Sequence, residues 1–276
     1  MSDSGTPQQA GNTRHILSLS GGKDSTALAI HLRDRMPDME YVFCDTDKEL
    51  DETYDYLDRL EVYLGRPIIR LKHDGMGFDD LLSIRRGYLP SPQIRWCTEY
   101  LKLKPFEKFI GETPAVTYVG IRADERHRKG YLSTKPNIVA CFPFIEEGIN
   151  RAGVLRILEE SGLGLPDYYR WRSRSGCYFC FFQQRREWVG LMREHPGLFK
   201  QAMEYEKADT DTGQRYTWVQ GESLEELSRP ERVAQIEAEF EQRRERAGGF
   251  RAGVSLGEVL DDADDSADRG CLICAL

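Results

Sequence analysis

The chain has 276 residues, 40% hydrophobic and 30% charged, enough for one large domain or two small ones around a real core. No run of 18 apolar residues is present and the first dozen residues are polar, so neither a spanning helix nor an export signal is expected, and a cytoplasmic location is. The net charge of −8 argues against a globally basic nucleic-acid binder, but residues 255–276 hold six acids against one base, which leaves −3 on the other 254 and room for local basic patches.

In chain order, residues 1–13 read as a flexible leader. His15–Leu19 is a short apolar strand running into Ser20-Gly21-Gly22-Lys23-Asp24-Ser25, and Thr26–Met36 has helical spacing. Met39–Cys44 is a second strand, ending in Asp45-Thr46-Asp47. Glu49–Leu64 places Leu50, Tyr54, Leu57, Leu60 and Leu64 on one helical face. A third strand is predicted over Pro67–Lys72, helices over Phe78–Arg85 and Pro105–Ile110, and a fourth strand over Val116–Ile121. This alternation predicts an α/β fold with a parallel sheet, helices on both faces, and ligands beyond the carboxyl ends of the strands.

After Arg151 the texture changes. Val154–Ser161 is a short helix, broken by Gly162–Pro166; 185–208 and 222–246 look helical; Gly248-Gly249 precedes an acidic tail. The expected organisation is a nucleotide-binding domain over 14–166, a mainly helical, cysteine-containing region over 167–247, and a tail over 248–276 ending in C-x-x-C. No internal repeat is present.

The string Ser20–Ser25 lies between a strand and a helix, where backbone N–H groups and a helix N-terminus together attract anions. Its glycines allow close approach and positive φ, Lys23 adds a point charge, and Ser18, Ser20, Ser25 and Thr26 add hydroxyls. It lacks the G-x-x-x-x-G-K-[ST] order of a Walker A loop. No Ser/His/Asp triad and no zinc-hydrolase pattern is evident among the five histidines.

S-G-G-K-D-S resembles the signature of the PP-loop ATP pyrophosphatases, the adenine nucleotide alpha-hydrolase-like family. The resemblance implies a Rossmann-like sheet of about five strands, with the loop holding the phosphates of a nucleotide. It also implies cleavage of ATP between its alpha and beta phosphates, or reduction of adenylyl sulfates. A narrower resemblance spans residues 14–245. Cys44-Asp45-Thr46 with Glu52-Thr53-Tyr54 is similar to a segment of the phosphoadenosine phosphosulfate (PAPS) reductases that lies near adenine and ribose. Gly120-Ile121-Arg122, followed by Arg126 and Arg128, is similar to their G-x-R segment, whose arginine faces the nucleotide. On this resemblance ATP and Mg²⁺ are bound by residues 20–26, Asp45, Thr46, Gly120 and Arg122, with Lys23, Asp24 and Arg122 as catalytic residues. Asp24 is the nearest carboxylate for metal, and loop N–H groups and Lys23 meet charge on the leaving pyrophosphate.

Seven cysteines with no export signal argue against a disulfide framework. Cys97 stands 80 positions before Cys177-Tyr178-Phe179-Cys180. Iron–sulfur sulfonucleotide reductases show a similar layout, C-C then C-x-x-C, around a [4Fe–4S] cluster; here the second cysteine of the first pair is Thr98. The resemblance therefore implies Cys97, Cys177 and Cys180 as ligands, with Cys274 or Cys271 of the tail as the fourth, and zinc as the alternative to iron. A redox-active tail pair and inert thiols are the other readings. Cys141 reads as buried core, and Cys44 as ambiguous. The reductases' terminal E-C-G-L-H is replaced here by Gly270-Cys271-Leu272-Ile273-Cys274.

A closer likeness is to the PAPS reductase-like proteins of DNA phosphorothioation systems. It implies an ATP pyrophosphatase that activates a nucleic-acid acceptor for sulfur supplied by a cysteine desulfurase. Tyr168–Cys177, with Arg185 and Arg186, mixes arginines and aromatics, which suits phosphate contact and base stacking on DNA, or else a packed loop around the cysteines. The alternatives are an adenylyl-sulfate reductase and a non-catalytic nucleotide-binding subunit.

Overall fold

The computed structural model describes residues 13–125, 133–208 and 215–246. Arg126 and Arg128, the acidic tail, Cys271 and Cys274 lie outside the described residues, as does all of the leader but Thr13. The first half alternates β1 (Arg14–Leu19), α1 (Lys23–Leu32), β2 (Met39–Cys44), α2 (Asp51–Leu64), β3 (Ile68–Leu71) and α3 (Phe78–Ile84). One helical run follows, α4 (Trp96–Thr98), a π turn over Glu99–Leu103 and α5 (Lys104–Ile110), then β4 (Ala115–Tyr118), β5 (Ile138–Cys141) and α6 (Pro143–Glu146). The π turn sits just before Pro105, whose missing N–H breaks the regular i→i−4 ladder.

The five strands form one parallel sheet in the order β3-β2-β1-β4-β5. Strand residues alternate between its two faces. Leu17, Leu19, Tyr41 and Phe43 join Leu28, Leu57, Phe144 and Val154 in one apolar cluster. Ile16, Val42 and Cys44 join Phe106 and Ile110 in the other. Burial on both faces is why these strands are near-continuous apolar runs. The strand order reverses between β1 and β4, so the loops leaving those two strands face a common crevice.

β5 was not among the predicted strands. It has four residues between Asn137 and Pro143 and is an edge, with Val139 61% exposed, so its apolar signal is short and half missing. The α/β class and the Rossmann-like sheet expected from the sequence are what the structure has.

The rest is mainly helical: α7 (Arg151–Glu160), a 3₁₀ turn over Asp167–Arg170, α8 (Arg185–Glu194), α9 (Pro196–Tyr205), the hairpin strands β6 (Lys207–Ala208) and β7 (Arg215–Tyr216), α10 (Leu224–Leu227) and α11 (Pro230–Arg246). The single helix predicted over 185–208 is two, because Pro196 disfavours helical backbone at His195 (φ −133°, ψ 64°). α7 packs on the sheet through Val154 and Leu158, whereas the helices from α8 onward share a third core with α3 and α4, built on Phe78, Trp96, Phe179, Trp188 and Trp218. Among the described residues no helix is long and apolar enough to cross a membrane.

Candidate functional site

The loop between β1 and α1 turns at Gly21 (φ +71°), a left-handed conformation that glycine adopts without penalty. A Cβ there would also lie 2.5 Å from Thr53 Cγ2, and one on Gly22 would lie 2.7 Å from Ser175 Oγ. Ser25 fastens the loop internally: its hydroxyl accepts the Ser20 N–H at 3.1 Å and donates to Gly22 O at 3.3 Å. Ser18 is buried on β1, and Thr26 is buried in the first turn of α1.

Residues far along the chain hold the loop from the other side. The Tyr168 hydroxyl donates to Gly21 O at 2.8 Å, and the Tyr169 hydroxyl accepts the Lys23 N–H at 3.1 Å. The two rings stack, 4.9 Å apart. The Lys23 ammonium lies 5.5 Å from the Tyr169 ring centre and is nearly buried.

Gly120, just past β4, packs on the Asp24–Ser25 backbone and brings Arg122 to the loop. Arg122 is 1% exposed, with Asp124 at 3.1 Å, Asp24 at 3.4 Å and Glu125 at 3.6 Å. Asp24 also faces the Lys23 ammonium at 3.4 Å. Its carboxylate is therefore the counter-ion between two cations, a poor environment for recruiting a metal ion on its own. Lys23, Arg122 and the α1 N-terminus converge at the carboxyl end of the sheet. That convergence can bind a polyphosphate or sulfate and stabilise charge developing on it.

Asp45 and Thr46, at the end of β2, belong to a neighbouring cluster. Asp45 Oδ1 accepts the Tyr54 hydroxyl at 2.7 Å and the Asp47 N–H at 3.0 Å. The Thr46 hydroxyl donates to Glu49 Oε1 at 2.9 Å and lies 3.2 Å from Cys177 Sγ, which is 3.7 Å from the same Glu49 oxygen. Burial is the main cause that raises the Glu49 carboxyl above the usual range, opposed by Lys102 and the Thr46 hydrogen bond. Burial also pushes the Cys177 thiol well up, and Glu49 adds to it. Sequence reading missed Glu49; its spacing three residues after Thr46, just ahead of a helix, was the available signal.

Cys97, Cys177 and Cys180 are half-buried, and Cys97 and Cys177 pack on the same aromatic core. Among the described residues no three His, Cys, Asp or Glu side chains stand close enough together to hold a metal ion. Thr98, buried, occupies the position of the missing thiol. The described residues therefore do not by themselves fit a four-thiolate cluster, and the expected fourth ligand, Cys274, lies outside them. Cys44 is buried, whereas Cys141 is half-buried beside Glu146 rather than in the core.

Much of the aromatic and arginine run read as a DNA-contact patch is interior, although Arg170 is exposed. Tyr168, Tyr169, Trp171 and Arg172 are at most 5% exposed. Arg172 is spent on the Gly176 and Cys177 carbonyls, both at 2.8 Å. Arg185 is outside, paired with Glu222. Aromatic–arginine mixing signals stacking, and here the stacking is internal.

The profile of the phosphoadenosine phosphosulfate reductase domain matches residues 14–146, from the start of β1 to the end of α6. An uncharacterized protein of Methanocaldococcus jannaschii is 29% identical over 198 residues, covering 67% of this chain and 40% of that protein. An adenosine 5′-phosphosulfate reductase of Staphylococcus haemolyticus is 30% identical over 111 residues, 40% of this chain and 45% of the enzyme. An uncharacterized 37.8 kDa protein of Escherichia phage 186 is 46% identical over 259 residues, covering 72% of this chain and 76% of the phage protein. The chain thus spans less than half the length of the archaeal protein and of the reductase. With the loop, its sheet position and these matches together, the chain belongs to the phosphoadenosine phosphosulfate reductase-like family.

Proposed function

We propose that the chain is an ATP pyrophosphatase of this family, cleaving ATP to AMP and pyrophosphate and so activating a nucleic-acid acceptor for sulfur incorporation. The observation that carries the reading is the convergence of nearly buried Lys23 and Arg122 on the α1 N-terminus. In the proposed reaction an acceptor oxygen attacks the alpha phosphorus, the bond to the beta-phosphate oxygen breaks, and AMP stays on the acceptor until a sulfur nucleophile displaces it; with no acceptor present, water takes its place and AMP is released directly. ATP arrives with its Mg²⁺, and the charge left on pyrophosphate is met by Lys23, Arg122 and first-turn N–H groups. A cysteine desulfurase is the proposed sulfur donor, and no step is assigned to a metal cluster.

A second reading, sulfonucleotide reduction, is favoured by the 30% identity to an adenosine 5′-phosphosulfate reductase. The same anion site suits a sulfate as well as a phosphate. The purified protein, incubated with ATP and Mg²⁺ and separately with adenylyl sulfate and a dithiol, separates the two. AMP with pyrophosphate in the first tube supports the proposal; AMP with sulfite in the second alone transfers the assignment to the reductase reading.

A further inference from the structure

The burial of Tyr168, Tyr169, Trp171 and Arg172 leaves Arg170 as the exposed residue of 168–172 and little of the contact surface that the sequence offered for a nucleic acid. We propose that the loop between α3 and α4, together with Lys207, supplies it instead, as a surface for a single-stranded nucleic acid. The inference rests on the reading above that the acceptor is a nucleic acid.

Charge is the first observation. Most surface cations here are matched, as in Arg14–Glu40, Arg193–Glu237 and Arg215–Glu226. Arg85, Arg86 and Arg95 of the loop, and Lys207 beside it, have no carboxylate within ion-pair reach among the described residues. Arg85 and Arg86 are adjacent, Lys207 reaches Gly87 beside them, and Arg95 lies at the far end of the same loop. The Lys207 ammonium lies against Gly87, 2.5 Å from where a Cβ would stand. Arg86 is held outward in a left-handed conformation (φ +55°) rarely used by side-chain-bearing residues. In a chain of net charge −8 this is a local positive patch that phosphates complement.

The second observation is the packing of rings among these cations. The Arg85 guanidinium lies 5.4 Å from the Trp96 ring centre and 5.1 Å from that of Tyr100. Arg95 lies 4.9 Å from that of Phe182. Stacked this way a guanidinium stays planar and keeps its N–H edge available for phosphate oxygens. Tyr88, 40% exposed, is braced edge-on by Tyr216, and Ile84 and Ile94 are 67% and 42% exposed. A braced, exposed ring among cations that no carboxylate of the described residues pairs is what unstacked bases and a phosphate chain together require.

The third is position. The loop follows α3 and ends at Trp96, next to Cys97, so a strand lying on it lies close to that cysteine. The Trp96 indole N–H, donated to Tyr88 O at 3.1 Å, ties the ring platform to that helix.

The test uses the full chain without ATP. Fluorescein-labelled 20-nucleotide single strands of dT and of U are titrated by anisotropy at several salt concentrations. Four phosphate contacts predict a log–log salt slope of about −3, and the R86S/R95S/K207S variant a slope near −1 with binding at least about tenfold weaker at low salt. Tyr88→Ala should weaken binding with the slope unchanged. A charge-matched control, R33S/R35S/R66S, removes cations near the amino ends of the strands and should behave as wild type. Should the triple variant melt early, R86S/K207S serves, with the slope reduced by about 1.4. No binding by wild type, or an equal loss in the control, overturns the surface. Binding that fails while ATP still yields AMP condemns the surface alone; binding that holds while ATP is untouched condemns the pyrophosphatase reading alone.

Discussion

The Ser175 hydroxyl donates to the Ser20 hydroxyl at 3.2 Å, joining residues 155 positions apart. Two residues on, Cys177 reaches Thr46 at the end of β2. The segment that carries the C-x-x-C pair is thus fastened both to the phosphate loop and to the neighbouring strand end. Order in the loop depends on residues far beyond the strand and helix that flank it.

Removing a hydroxyl from that fastening should be felt as stability. Tyr168→Phe leaves the Gly21 carbonyl buried without its donor, and about 1–3 kcal/mol is expected from such a loss. Tyr169→Phe takes the hydroxyl acceptor from the buried Lys23 N–H, and a loss in the same range of about 1–3 kcal/mol is expected. Urea unfolding of both variants checks this; negligible effects would show that the loop stands without them.

Gly21→Ala should be worse than either. The left-handed backbone costs a side chain about 1–2 kcal/mol, and the new Cβ strikes Thr53 Cγ2 as well. Adding Thr53→Ala should recover the clash and not the backbone cost. Complete rescue by that second change would mean the φ value is not a constraint.

Arg122→Met should destabilise by about 3–5 kcal/mol, because Asp24, Asp124 and Glu125 would face one another without their shared cation. Arg122→Lys should recover part of that stability but not ATP turnover, as an ammonium cannot reproduce the fork. Turnover restored by lysine would reduce Arg122 to a point charge.

Burial pushes the Cys44 thiol up to about 12. The reactive thiolate appears only as pH rises through that value, so at pH 8 the folded protein should resist iodoacetamide at Cys44. Half-buried Cys141 should be modified ahead of buried Cys44. Peptide mapping after brief alkylation reads the ratio, and equal rates would place Cys44 outside the core.

The sheet and the loop were legible in the sequence because both are local. An apolar strand, a Gly-Gly turn and an amphipathic helix are written in consecutive residues. β5 was not, being a four-residue edge with one face in water. The split at His195–Pro196 was present as a proline but was outweighed by the helical spacing around it. Tyr169 and Ser175 were invisible for a different reason: their roles come from long-range contacts, which no periodicity records. Tyr168–Arg172 misled because most of its side chains turn inward: Tyr168 and Tyr169 hold the phosphate loop, and Arg172 is spent on backbone carbonyls.

The central claim is that Lys23, on the phosphate loop, serves cleavage between the alpha and beta phosphates. ATP labelled at the alpha phosphorus, incubated with Mg²⁺ and the full chain, reads it directly by nucleotide chromatography. The account predicts label accumulating in AMP, at a rate about 10²-fold lower or less in a folded Lys23→Ala variant. Label appearing in ADP, or AMP formed equally fast by both proteins, would contradict it.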